Sequence, residues 1–109
     1  MSDRKYRQSY LAGDDKVNEA KEIARRILKD IQVKDWDGGL VWMKAQDIWS
    51  LGGGTDAENA FDAPVRKIQD AIEEFRQGVE GGIPMESADR IACRKIKAAC
   101  VEIVGRPVN

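Results

Sequence analysis

From Asp14 onward, Val17, Ala20, Ala24, Ile27, Leu28 and Ile31 recur at spacings of three and four, with Lys, Glu and Arg between them. This pattern predicts an amphipathic helix with Asp14 or Asp15 as its cap. It stops around residues 34–39, where Asp37-Gly38-Gly39 reads as a turn because glycine tolerates positive φ. A second helix is expected over residues 40–51, ended by Gly52-Gly53-Gly54. Thr55-Asp56-Ala57-Glu58 fits a capping box, and Asp62-Ala63-Pro64 suits a first helical turn, where proline gives up no hydrogen bond. The third helix carries Phe61, Val65, Ile68, Ile72, Phe75 and Val79 as its core stripe, with Gly78 to close it. The fourth follows Ile83-Pro84-Met85, carries Ala88, Ala92, Ile96, Ala99, Cys100 and Ile103 on one stripe, and stops before Gly105-Arg106-Pro107.

Four helices with short connections predict an all-α fold, a compact antiparallel four-helix bundle-like domain, five helices if the start of the chain adds a short turn. Residues 1–13 read as an N-terminal arm, 14–105 as one helical domain and 106–109 as a tail. The chain's 109 residues suffice for one core without staples.

Composition removes most chemistry. Histidine is absent, which excludes Ser-His-Asp and Cys-His nucleophiles and His-containing metal sites. Cys93 and Cys100 lie seven residues apart on one helix, about 10 Å along its axis, too far for a disulfide, and two thiols do not make a zinc set. Both read as small core residues. No metal and no cofactor are expected, and no apolar run approaches the roughly 20 residues of a membrane span. The polar start lacks a secretory leader, so the reading is cytoplasmic. Gly52-Gly53-Gly54-Thr55 lacks the Lys-Ser/Thr of a phosphate loop and is flanked by Asp56, Glu58 and Asp62, so it reads as a flexible joint. Asp70, Glu73 and Glu74 stand about one helical turn apart without metal-ligand spacing, and solubility explains them. The protein is expected not to be an enzyme.

Charge is unevenly distributed along the chain. Residues 1–34 hold nine Lys/Arg against six Asp/Glu, residues 35–89 four against twelve, and residues 90–109 five against one, so a net charge of −1 hides an acidic middle between basic ends. Arg90, Arg94 and Lys97 fall at i, i+4 and i+7 on the fourth helix. Such a stripe can track phosphates, and the arm's Arg4-Lys5-Tyr6-Arg7 adds charge and a ring. The plainer reading is a solvated face whose cations pair with the acidic third helix.

Trp36, Trp42 and Trp49 fall within fourteen residues, and the second helix is apolar on nearly every side. Either it is central to the bundle, with tryptophans as core, or it docks against something else. A small apolar ligand held against Trp42 or Trp49 is a further reading. The function expected is a protein-binding module: an adaptor, inhibitor or regulatory protein, or a homodimer. It would use Trp36, Trp42 and Trp49 with the acidic Asp56 and Glu58 against a partner with a basic surface. A phage or mobile-element accessory protein acting on a host complex has this size and this lack of catalytic motifs. The alternative is nucleic-acid binding through Arg90, Arg94 and Lys97.

Overall fold

The computed structural model describes residues 14–34, 36–54 and 58–107. They form four α-helices and no strand: α1 (Asp14–Gln32), α2 (Gly38–Ser50), α3 (Asp62–Glu80) and α4 (Met85–Val104). The fold is the expected all-α four-helix bundle, and residues 1–13, on which the option of a fifth helix rested, lie outside the described residues. The helices close a ring in which α1 packs on α2 and α4, and α3 packs on α2 and α4. Successive helices run antiparallel: Asp30 near the end of α1 pairs with Lys44 of α2, Trp49 at the end of α2 bonds Asp62 at the start of α3, and Arg106 after α4 lies over Phe61 just before α3.

The core follows the apolar stripes. Ala88, Ala92, Ile96, Ala99, Cys100 and Ile103 of α4 are all buried, facing Val17, Ala20, Ala24 and Ile27 of α1, and Val65, Ile68 and Ala71 of α3. Many of these are alanines, which draws the helix axes together. From α2 only Val41, Ala45 and Ile48 are fully buried. This helix is therefore peripheral, touching α1 on one flank and α3 on the other, rather than central to the bundle.

Two boundaries differ from the sequence reading, and a third falls on one of the two starts that it offered, Asp62-Ala63-Pro64. α2 starts at Gly38, not residue 40, because Asp37 is its N-cap and accepts the Leu40 N–H at 3.0 Å. The glycine pair is thus the first turn of the helix, and neither residue has positive φ. A Cβ on Gly38 would stand 3.3 Å from Ile72, so glycine serves close approach of α3 there. α3 starts at Asp62, with Glu58 in a turn before it, so Glu58 takes no part in a helix cap; Thr55, Asp56 and Ala57 fall outside the described residues. Gly78 does not end α3, which runs on to Glu80 and closes in a Schellman turn, Ile83 N–H to Gly78 C=O at 2.8 Å and Gly82 N–H to Val79 C=O at 3.2 Å, with Gly82 at φ 101°. Gly78 is small because Ile83 folds back over it, and a Cβ would meet the Ile83 side chain at 3.2 Å.

Candidate functional site

The three tryptophans have three different roles. Trp36, in the α1–α2 connection, is half-buried; its Nε1 donates to Asp89 Oδ1 of α4 at 2.7 Å, and its ring meets Phe75 of α3 edge-on at 5.4 Å. It staples three elements at one end of the bundle. Trp49 is also half-buried against the core and donates Nε1 to Asp62 Oδ1 at 3.2 Å, while Asp62 pairs with Arg66. Both rings have their polar edge satisfied inside the fold, as buried indoles require. Trp42 stands apart, 40% exposed and with no hydrogen-bond partner among the described residues.

Trp42 is one wall of a groove of about 570 Å³ between α2 and α3. Gly38 and Gly39 leave the gap, since neither projects a side chain into it, and Ile72, Phe75 and Val79 form the opposite wall. Those three are half-buried, so the distal half of the α3 stripe, expected to be core, opens onto a groove instead. The rim is charged, with Glu73 paired to Arg76 at 2.6 Å and Glu80 exposed. Next to Trp42 on the outer side of α2, Met43 is 64% exposed, and Leu40 is 58% exposed on the flank toward α1. Large apolar side chains left exposed on a helix whose inner face already fills the core mark a contact surface.

Of the acidic residues expected beside the tryptophans, Glu58 is next to Asn59, which donates to Trp49 C=O, and away from Trp42. Glu58 belongs to the α2–α3 connection, at the end of the bundle away from Gly38 and Val79, and Asp56 lies outside the described residues. The carboxylates nearest Trp42 are Glu73 and Glu80 of α3. Sequence periodicity assigned the groove-lining positions to the core, and the one signal that pointed to a gap was the Gly-Gly pair facing them.

The basic stripe also differs from the plainer expectation. Arg90, Arg94 and Lys97 are exposed and form no ion pair among the described residues. The cations that tie α3 to α4 are Lys95, with Glu74, and Lys67, with Glu102. Both pairs are largely solvated and worth little singly.

Both cysteines are free, Cys100 buried and Cys93 half-buried. Burial pushes the Cys100 thiol up to about 12; burial first, then the nearby Asp89 carboxylate, raises Cys93. Thiolate is the reactive form. Native protein at pH 8 is therefore expected to alkylate slowly at Cys93 and not measurably at Cys100 until it unfolds, read by mass spectrometry; prompt double labelling without denaturant would contradict the packing. Because burial raises the folded thiol above its ordinary value of 9.0, the Cys100 contribution to stability is complete below pH 9 and is lost as pH climbs from there toward 12.

Among the described residues no group of three or more His, Cys, Asp or Glu is placed to hold a metal, and no helix is long and apolar enough to cross a membrane. Comparison with protein-family models, with curated proteins and with solved structures finds no match to this chain.

Proposed function

We propose that this protein is a non-enzymatic binding module that receives an apolar anchor of another protein in the groove between α2 and α3. The observation that carries this reading is Trp42, the tryptophan left exposed, on the wall of a groove floored by two glycines. A bulky aromatic side chain beside a preformed apolar depression is the composition of a binding hot spot. The occupant that suits it is an amphipathic helix, which lays alternate-turn apolar side chains along such a groove, with a basic flank toward Glu73 and Glu80. Adaptor, inhibitor and regulatory roles share this surface, including a role for an accessory protein that blocks a host complex. Two free thiols suit a reducing compartment, and we place the protein in the cytosol.

Trp42→Ala tests the reading. Its indole is well exposed, so the variant should keep its helicity and lose no more than about 1 kcal/mol of stability. Its affinity for proteins that bind the wild type should fall at least about 30-fold, the loss of about 2 kcal/mol that marks a hot spot. Quantitative capture from cell lysate on the two baits measures this. Equal capture by both removes the groove from function. A wild-type dimer in light scattering that Trp42→Ala dissociates would make the occupant a second copy of this chain.

A further inference from the structure

On α1 the flank toward α2 is mainly acidic. Glu19 and Glu22 border α2 in a cleft shared with Asp47 and with Arg26, and Asp30 pairs with Lys44 of α2 at 2.7 Å. A step of about 100° per residue places Lys21 and Arg25 on the opposite flank, toward α4. Arg25 holds Glu22 at 3.6 Å, with both side chains more than half exposed, and Lys21 has no ion pair among the described residues. On α4, Arg90, Arg94 and Lys97 project along the outer edge of the same α1–α4 seam, on the side away from the ion pairs to α3. At one end of the seam Arg90 shares a cleft with Lys34, which follows α1, and with Glu86 and Asp89, the latter engaged by the Trp36 indole. By contrast every Lys and Arg of α2 and α3 is engaged: Lys44 with Asp30, Arg66 with Asp62, Lys67 with Glu102 and Arg76 with Glu73. Arg26 apart, which sits among Glu19, Glu22 and Asp47, the α1–α4 seam therefore gathers Lys21, Arg90, Arg94 and Lys97 without an ion pair among the described residues, although the net charge is −1.

We infer that the α1–α4 seam binds duplex nucleic acid through its phosphates, without reading sequence. Arg90, Arg94 and Lys97 recur once per helical turn and span about 10 Å, the axial length over which one duplex strand presents about three phosphates. Neither α1 nor α4 contains an aromatic residue, and Trp36, which lines the cleft beside Arg90, is half-buried, with its Nε1 on Asp89 and its ring against Phe75. No free ring is therefore offered for unpaired bases to stack on, and a rigid helical edge suits the regular backbone of a duplex. The large apolar side chains that α4 exposes, Met85, Ile91 and Val101, are spaced six and ten residues apart and do not form the continuous Trp, Phe or Leu flank that a helix lying on a membrane inserts. The acidic rim at Glu73 and Glu80 lies on the far side of the ring of helices, where it orients the molecule on a polyanion instead of blocking contact. This inference does not depend on the groove, since the two faces share no residue.

The experiment is fluorescence anisotropy of a labelled duplex of about 25 base pairs titrated with wild type, with Arg90→Glu/Arg94→Glu/Lys97→Glu, and with Trp42→Ala, each checked for helicity by circular dichroism. Wild type should bind with Kd on the order of 10⁻⁵ M at 50 mM salt and weaken about 20- to 100-fold by 200 mM, as three cations releasing condensed counterions require. The triple variant should bind at least tenfold more weakly, and Trp42→Ala should bind as wild type does. No shift at 50 mM salt, an affinity independent of salt, or equal binding by the triple variant overturns the inference. So does tighter binding of the same protein to anionic vesicles of phosphatidylserine and phosphatidylcholine or to poly-glutamate, which would assign the seam to a membrane or to an acidic protein. Should the triple variant unfold, the single Arg94→Ala is read instead, with a two- to fivefold loss expected and no loss overturning the inference.

Discussion

Replacing Phe61 with alanine should cost about 3–5 kcal/mol, close to the whole stability of a small domain. The ring is fully buried and sits just before α3, between the end of one connection and the start of a helix. Its backbone is held as firmly as its side chain: the N–H donates to Asn59 Oδ1 at 2.8 Å, and the C=O accepts the Val65 N–H at 3.0 Å. Above the ring, Arg106 places its guanidinium carbon 4.9 Å from the centroid, and Nη1 donates to Ala60 C=O. The chain beyond α4 thus closes over this end of the bundle. Alanine would leave a cavity the rigid helix ends cannot fill and would strip Arg106 of its platform. Phe61→Leu, which keeps most of the volume, should cost less than about 1.5 kcal/mol. Arg106→Ala should cost about 1–2 kcal/mol, for a cation–π contact and one hydrogen bond. Urea denaturation with an unchanged m-value measures all three. A loss below 1 kcal/mol for Phe61→Ala would mean that this end of the bundle does not pack as described.

Phe61 also shows what the sequence carried and what it did not. Its place on a three-four stripe was legible, as was the whole buried face of α4, because a helix with one partner on each flank must repeat its apolar positions near every 3.6 residues. Less legible was anything decided by a neighbouring element. Gly38-Gly39 looked like a turn because glycine's conformational freedom is its commonest use, yet here it is used for its missing side chain, against Ile72 of α3. Ile72, Phe75 and Val79 continue the stripe of Phe61 without interruption, and only the gap that those glycines leave turns the same pattern from core into groove wall. The tryptophans divided for a similar reason. Trp36 and Trp49 found carboxylates, Asp89 and Asp62, that lie 53 and 13 residues away in the chain, whereas Trp42 found none, and no local pattern distinguishes the three.

The arrangement of charge follows the same logic. Segment counts located an acidic middle and basic ends, but not how the ring of helices would set them. Because α1 and α4 are neighbours and α2 and α3 are neighbours, chain segments of like character share a side. The apolar groove with its carboxylate rim thus comes to lie opposite the uncompensated cations. If the groove takes a protein and the seam a polyanion, as proposed, variants at Trp42 and at Arg94 should separate the two.

Gly52→Ala should destabilise the wild type by about 2–4 kcal/mol yet add almost nothing to the loss already caused by Asn59→Ala. Gly52 is buried at the end of α2 and is not among the residues with positive φ, unlike Gly53 at 70° and Gly54 at 67°. Backbone conformation therefore does not demand glycine here; space does. A Cβ would stand 2.5 Å from Asn59 Cγ and 2.8 Å from Nδ2, and closer still to Oδ1. That amide has no free volume to move into, for Asn59 is buried, donating Nδ2 to Trp49 C=O at 2.7 Å and accepting Phe61 N–H at 2.8 Å. It joins the last turn of α2 to the first of α3 across a connection whose ends are also tied by the Ala60 N–H to Gly52 C=O bond at 3.3 Å. The triple glycine is in this respect a pinned corner, where the sequence suggested a flexible joint. Displacing the amide forfeits both hydrogen bonds and leaves a buried N–H unpaired, which costs about 1–3 kcal/mol per group. Asn59→Ala alone forfeits them too. Once the amide is gone, however, the added methyl at position 52 meets nothing it must displace, so Gly52→Ala in the Asn59→Ala background should change stability by less than about 0.5 kcal/mol. The two substitutions should therefore fall well short of additivity in a double-mutant cycle. Additive losses would place the cost in the backbone of residue 52 and refute the packing account, because strain in φ and ψ does not depend on what residue 59 carries.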